Sequence, residues 1–366
     1  MRISAFLLIL LLSVVPAYAD DAPAPPPALD FAGLNKTLVD KLVIPLSVHY
    51  EAAAWELIGA TEGFCANPDQ DGYARLLSFY NDAMEKWQAF QPIDFGPLAP
   101  LAERIEFWPD AKSATDRQLR AALQKRDEAL VAPDGLDGKS VALQNIATFE
   151  ILLADNGRRL AEGRGTDEDK YACKLMAAIA KLQANLASAV RSGWSQVGGY
   201  AEQIAKAGTT ESDYPDSRAV ANDFLKAMVN ALDVIVRNKL ERPMGEDLAK
   251  ARVNRTESWR TSRSRANIVA NLVTVRDLYG LPGSFADLAS QAGEGPLADS
   301  TGVLMNQAVD ELRGLGVSLE DAIKDAVQRP KLENVLRDVK ALRKLLAGPL
   351  AEPLGLAVGF NALDGD

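Results

Sequence analysis

Glu150 is the residue whose setting most invites chemistry. It lies in the stretch from Ser140 to Asp155, where Val141, Ile146, Phe149, Leu152 and Leu153 recur at helical spacing. That spacing reads as one amphipathic helix with its apolar stripe turned to a core. Gln144, Asn145, Thr148 and Glu150 set polar groups among those apolar positions. A carboxylate so placed belongs either to a solvated face or to the floor of a site. If buried without a cation, its pKa rises and it is held protonated or paired with an arginine. Arg104 and Arg260 are the candidate partners. Glu106 and Glu257 are further carboxylates, and Trp108 stands two residues after Glu106. Glu257, Arg260, Ser264, Asn267 and Asn271 follow one another at intervals of three or four, so a helix from about Glu257 to Tyr279 carries them as one polar stripe. The stripe is either a solvated face or the lining of a cleft; its poverty in lysine and glutamate weighs toward the cleft.

What these groups exclude is clearer. The chain has one histidine, His49, with Ala52 and Ala53 on the following turn, so no carboxylate on its own helix supports it. One histidine eliminates the H-E-x-x-H zinc peptidases. No nucleophile elbow accompanies it, and glycine-rich phosphate loops are absent. Zinc or iron takes several N, O or S ligands, so Glu150 with Thr148 nearby is a thin set. Glu150 is the one weak candidate both for a catalytic carboxylate and for a metal ligand, and iron or zinc enters only if other residues complete the site. The net charge of −10 argues against a nucleic-acid partner, which needs a basic surface, and fits an anionic membrane surface poorly.

The elements that must position these groups are helices. Leu38 to Trp55 reads as a long helix bent near Pro45, and Tyr73, Leu76, Tyr80, Met84 and Trp87 form a second stripe. Further stripes run from Leu175 to Trp194, from Val220 to Ile235, and through Leu304–Leu312 and Leu332–Leu346. No βαβ alternation or period-two run appears, so the class is all-α, as two packed helical-bundle domains. The polar run from Gly208 to Asp216 is the best boundary, dividing residues 31–207 from 208–366. Ahead of them, Arg2, the apolar run Phe6–Val15 and Ala17-Tyr18-Ala19 read as a cleavable signal peptide over residues 1–19. A Pro/Ala-rich tether follows over residues 20–30. No later segment is a transmembrane candidate, so the expectation is an exported protein of the bacterial periplasm. In an oxidising compartment the two cysteines, Cys65 and Cys173, pair as a disulfide between helix ends.

Several stretches together resemble the imelysin-like family. They are Leu42-Val-Ile-Pro-Leu46, Arg104-Ile-Glu-Phe-Trp-Pro-Asp110, Ser140–Glu150, Glu257-Ser-Trp-Arg-Thr-Ser-Arg-Ser264 and the terminal Gly359–Asp366. The family hallmark is Gly-x-His-x-x-Glu on a helix; the matching positions here read Asn145-Ile-Ala147-Thr-Phe-Glu150, keeping the glutamate and replacing the histidine by Ala147. The resemblance implies two helical bundles with a site at the domain interface, lined by Glu106, Trp108, Gln144, Asn145, Thr148, Glu150, Glu257, Arg260, Ser264 and Asn271. It also implies a link either to metallopeptidases or to periplasmic iron uptake. The leading expectation is a non-catalytic binding protein with a role in metal or iron acquisition, its ligand a metal ion or a peptide and its partners envelope iron-uptake components. A metallopeptidase using Glu150 and a peptide- or partner-binding envelope protein are the alternatives.

Overall fold

The computed structural model of the chain describes residues 28–358. The expected signal peptide, most of the tether and the terminal stretch from Gly359 lie outside the described residues. The first helix, α1 (Phe31–Leu38), starts where Asp30 accepts the Gly33 N–H at 2.8 Å. It passes through a π-helical turn, Val39–Val43, into α2 (Ile44–Ala66). Pro45 has no N–H to give to the preceding turn, so the bend expected near it takes the form of a widened turn just before it. α3 (Gln70–Phe90) is capped by Asp69 and buries Leu76, Tyr80, Met84 and Trp87, the stripe expected from its spacing.

The central stretch is not one helix. It divides into α4 (Val141–Gln144) and α5 (Ile146–Leu152), separated by Asn145 in extended backbone at φ −93° and ψ 163°. The Asn145 side chain causes the break. Its Oδ1 accepts the N–H groups of Ala147 and Thr148 at 3.0 and 3.2 Å, while its amide donates to the Val141 carbonyl at 2.7 Å. One side chain thus closes one helix and opens the next, as asparagine does when it competes with the ladder. Thr148 adds a hydrogen bond back to the Ala142 carbonyl at 2.7 Å.

α6 (Asp167–Ser195) begins with a capping box between Thr166 and Asp169. It packs along α2, and both α3 and α5 complete this first bundle, α3 against α2 and α5 against α6. The second bundle is a ring of four. α7 (Ser217–Val234) packs on α8 (Ser264–Gly280) and α10 (Arg329–Ala347), and α9 (Gly295–Arg313) packs on both of these. Among the contacts that join the bundles, α8 lies against α3 and α1 against α7. The buried side chains accordingly form one continuous hydrophobic cluster. Among the described residues there is no strand, and no helix is long and apolar enough to cross a membrane.

The helix expected from Glu257 starts only at Ser264. Ser258 and Ser262 adopt left-handed backbone, φ 50° and 56°, so Glu257 and Arg260 belong to a turn rather than to the helix. Cys65 and Cys173 are disulfide-bonded, linking the last turn of α2 to the start of α6 across 108 residues of sequence. Denatured, unreduced protein should therefore titrate no thiol. The Cys65→Ala/Cys173→Ala double variant should lose about 4–5 kcal/mol, the chain entropy released by a loop of this size. A denaturant midpoint unchanged in that variant would contradict the assignment.

Candidate functional site

Lys239 enters the interior because of its register. Phe224, Met228, Leu232 and Ile235 line the buried face of α7, and Lys239 continues that face in the π-helical extension Ile235–Glu241. Its side chain is 1 % exposed. Five side-chain oxygens from four residues surround the ammonium group: Gln88 Oε1 at 2.6 Å, Asn271 Oδ1 at 2.7 Å, both Glu257 carboxylate oxygens at 3.0 Å and Gln91 Oε1 at 3.1 Å. Gln88 belongs to α3 and Gln91 follows it, whereas Asn271 comes from α8 and Glu257 from the turn before it. The cage therefore joins the two bundles where α3 meets α8. Asn271 also donates to the Gln88 carbonyl at 2.6 Å, and Thr274 to the Ala89 carbonyl at 2.7 Å.

Glu106 completes the cage from the other side. Its Oε2 accepts from the Trp87 indole at 2.6 Å and from the Gln88 and Gln91 amides at 3.0 Å each. Its Oε1 is buried without a hydrogen-bond donor, whereas the Oε1 of Glu257 lies 3.0 Å from the Lys239 ammonium group. Burial, then the neighbouring Glu257 charge, push the Glu106 pKa up to about 8. Two acids so close disfavour ionising together, so Glu106 is the one that keeps its proton at neutral pH. Glu257 Oε2 takes a further hydrogen bond from Asn267 at 2.8 Å. Ser264 lies between the Glu257 carbonyl and the Glu320 carboxyl, whose pKa is raised by burial.

Glu150 lies apart from this cage on α5. Its Oε1 accepts from the backbone N–H and hydroxyl of Thr261 at 2.9 and 2.8 Å. Burial raises its pKa to about 7, against the opposing effects of the Thr261 hydrogen bonds and the Arg260 charge. Neither expected arginine partner bonds to it. Arg104 is held by Gln144 at 2.7 Å and Asp137 at 3.0 Å, and Arg260 stacks 4.5 Å above the Trp259 ring with Asp155 3.9 Å away. A short turn brings Thr261 within reach first.

These groups border a cleft of about 360 Å³. Glu106, Trp108, Glu150, Glu257 and Arg260 line it, together with Ala147, one turn before Glu150 on the same face of α5. Gln144, Asn145 and Thr148, expected as lining, are not among the lining residues. Gln144 bonds to Arg104, Leu136 and Lys139, and the other two maintain the break between α4 and α5. Ser264 stands behind the cleft and bonds to the Glu257 carbonyl, whereas Asn271 holds Lys239 and lines a second cavity of about 220 Å³ that Glu106 and Trp108 also border. His49 is exposed and borders a different surface hollow. The sequence reading missed Lys239, Thr261, Arg242 and Arg255. For Lys239 a signal existed, since its spacing from Phe224, Met228, Leu232 and Ile235 keeps it on the apolar stripe.

The family model "Peptidase_M75: Imelysin" matches residues 47–347. The chain belongs to the imelysin family. Two solved structures share the fold of this imelysin-family chain. One is an imelysin-like protein from Psychrobacter arcticum 273-4, with a TM-score of 0.73, 18 % identity, and coverage of 91 % of this chain and 100 % of that one. The other, from Parabacteroides distasonis ATCC 8503, is described as an iron-regulated protein A precursor. It has a TM-score of 0.73 and 16 % identity, covering 88 % of this chain and 96 % of that one. None of the curated proteins compared with the chain matches it.

The donor set in the cleft does not fit a zinc or iron ion. The Glu150 oxygen that faces Thr261 is engaged twice, Glu257 is bonded to an ammonium ion, and Glu106 keeps its proton at neutral pH. Among the described residues no three His, Cys, Asp or Glu side chains converge as a ligand set. Lys239 occupies the place among the oxygens where a cation is needed.

Two outcomes follow for the cage. Lys239→Met removes the cation and leaves Glu257 buried and unpaired, which should cost about 3–5 kcal/mol in the denaturant midpoint; Lys239→Met/Glu257→Gln should recover part of that loss. A Lys239→Met midpoint equal to that of the parent would show that the ammonium ion does not hold the bundles together. The second outcome is a pH dependence. The unfolded chain releases the Glu106 proton near pH 4.5 and the folded chain near 8. Between those values the folded state binds more protons, so this group's stabilisation is complete at low pH and is lost as pH rises. Glu106→Gln keeps the neutral form at every pH, so its stability should fall less steeply across that window. An undiminished slope in Glu106→Gln would refute the proton retained on Glu106.

Proposed function

We propose that this imelysin-family chain is an exported, non-catalytic binding protein whose interdomain cleft holds a ligand for metal or iron acquisition. The observation that carries the reading is that protein donors already engage each buried carboxyl in the cleft, while the position one turn before Glu150 is the methyl group of Ala147. A metallopeptidase needs an open metal position and a free base. A binding protein needs a preassembled wall, and the cage of Lys239 supplies one. Arg2, the apolar run Phe6–Val15 and Ala17-Tyr18-Ala19 support export to the periplasm, and the iron-regulated relative from Parabacteroides distasonis supports the link to iron.

One observation favours a second reading, hydrolysis. Glu150, with a pKa near 7, is poised in the range useful to a general base. Metal analysis and peptide hydrolysis separate the two. Freshly purified protein is expected to carry well under one zinc or iron per chain, unchanged by Glu150→Gln, and to leave peptide substrates intact. Small molecules released by heating envelope-derived protein are expected to include one that rebinds. Stoichiometric metal that disappears in Glu150→Gln, or hydrolysis abolished by that change, would put the peptidase first.

A further inference from the structure

The cleft contains positive charge that the protein itself does not pair. Arg242 and Arg255 both line it, on the same cavity as Trp108 and Arg260. The Arg242 guanidinium is half-buried, 6.0 Å from the centre of the Trp108 ring. Among the described residues no carboxylate comes within ion-pair distance of Arg242 or Arg255, whereas Arg260 has Asp155 and Arg263 has Glu85. Burial, then the Arg255 charge, depress the Arg242 pKa, and Asp110 opposes them from a distance. Asp110 is not free to pair. Its Oδ2 accepts the Thr115 N–H at 2.7 Å, and backbone donors at the start of the helix Ala114–Lys125 lower its pKa in spite of partial burial.

The two guanidinium groups repel each other with no ion-pair partner between them; solvent at the exposed Arg255 screens part of that repulsion, and a bound anion relieves the rest. The planar forks of arginine fit the paired oxygens of a carboxylate or phosphate. The rest of the cleft has the opposite character. Glu106, with its pKa near 8, keeps its proton at neutral pH, and Glu257 is neutralised by Lys239. Asp110 and Asp116 also line the cavity, and among its charged groups Arg242 and Arg255 are cations without an ion-pair partner among the described residues.

We propose that Arg242, over the face of Trp108, and Arg255, which lines the same cavity, form an anion subsite that receives a carboxylate or phosphate group of the molecule bound in the cleft. The subsite rests on the binding reading above and adds the class of ligand: a small organic acid or phosphate ester. Its charged group meets the arginines, and its uncharged remainder extends toward Glu150 along the wall formed by Trp108 and Trp259. A cavity of about 360 Å³ admits a molecule of that class and not a folded protein.

Titration calorimetry with inorganic phosphate and with malonate, at low and at high salt, tests the subsite in the full-length mature protein. At least one of the two probes should bind the parent protein. Arg242→Gln and Arg255→Gln should each weaken that probe about tenfold or more, the usual loss when a charged hydrogen bond is removed. Arg337→Gln, an exposed arginine outside the cleft, should leave it unchanged. Binding of phosphate alone selects phosphate esters, and binding of malonate alone selects organic acids. If neither probe binds, or if Arg337→Gln weakens binding as much as Arg242→Gln, the subsite is overturned. Thermal melts of each variant show whether it is folded. The outcome is separable from the broader reading: a heat-released ligand that rebinds equally to parent and Arg242→Gln/Arg255→Gln protein removes the subsite and leaves the binding function standing.

Discussion

The buried ammonium ion of Lys239 is the interaction on which the arrangement of the two bundles depends. Isolated, a charge at that depth would carry a prohibitive desolvation penalty, and lysine avoids it in most proteins by losing its proton or reaching the surface. Here the side chain is enclosed by oxygens from α3, from the residue after it, from α8 and from the turn before α8. None of these segments can shift against the others without uncovering the charge. The lysine thus sets the register between α3 and α8 more strictly than their apolar contact does, because hydrophobic packing is non-directional and an ammonium cage is not. Buried ion pairs often add little net stability while penalising misalignment heavily. That asymmetry suits an interface that must place a cleft.

The same cage determines what the carboxyls of the cleft are able to do. One positive charge faces two acids, Glu106 and Glu257, so one of them keeps its proton, and the deeper hydrogen-bonding of Glu106 with Trp87, Gln88 and Gln91 fixes its orientation. Glu150, held only by Thr261, remains in the pH range where its charge is adjustable. Three glutamates lining one cavity thereby occupy three electrostatic conditions: proton-bearing, ion-paired and near its titration point. Counting them as three full negative charges would misjudge the cavity.

Much of the helical architecture is legible in the sequence because its signals are local. Thr166 and Asp169 announce the start of α6, and Leu175, Ile179, Leu182, Leu186 and Val190 keep its period. The failures have physical causes. Asn145 and Thr148 carry the same types whether they ride on a helix or break it, and what decides is whether Asn145 reaches Ala147 and Val141 at once. Glu257 and Arg260 keep helical spacing but leave the helix because Ser258 and Ser262, neither of them glycine, take left-handed backbone. Glu106, Trp108, Glu150, Glu257 and Arg260 do converge on one cleft. Their mutual bonds were not legible, since Lys239 lies 151 positions from Gln88 and Glu150 lies 111 from Thr261. Spacing constrains neighbours on a helix and says little about partners so far apart.

A site built from carboxylates of two bundles requires positive charge simply to assemble. In metal sites an ion supplies it, and the site is loose until the ion arrives. This chain supplies it covalently, through Lys239, together with one retained proton on Glu106 and two hydrogen bonds to Glu150. The cleft is consequently assembled before any guest enters, and a guest gains little by neutralising those carboxyls. What remains open to electrostatic gain is the unpaired charge of Arg242 and Arg255. On the proposed reading, then, selectivity passes from the acidic floor to the basic rim, and an anion is preferred to a cation in a chain whose net charge is −10. Local placement of charge, and not its total, decides which ligand the field of a cleft favours.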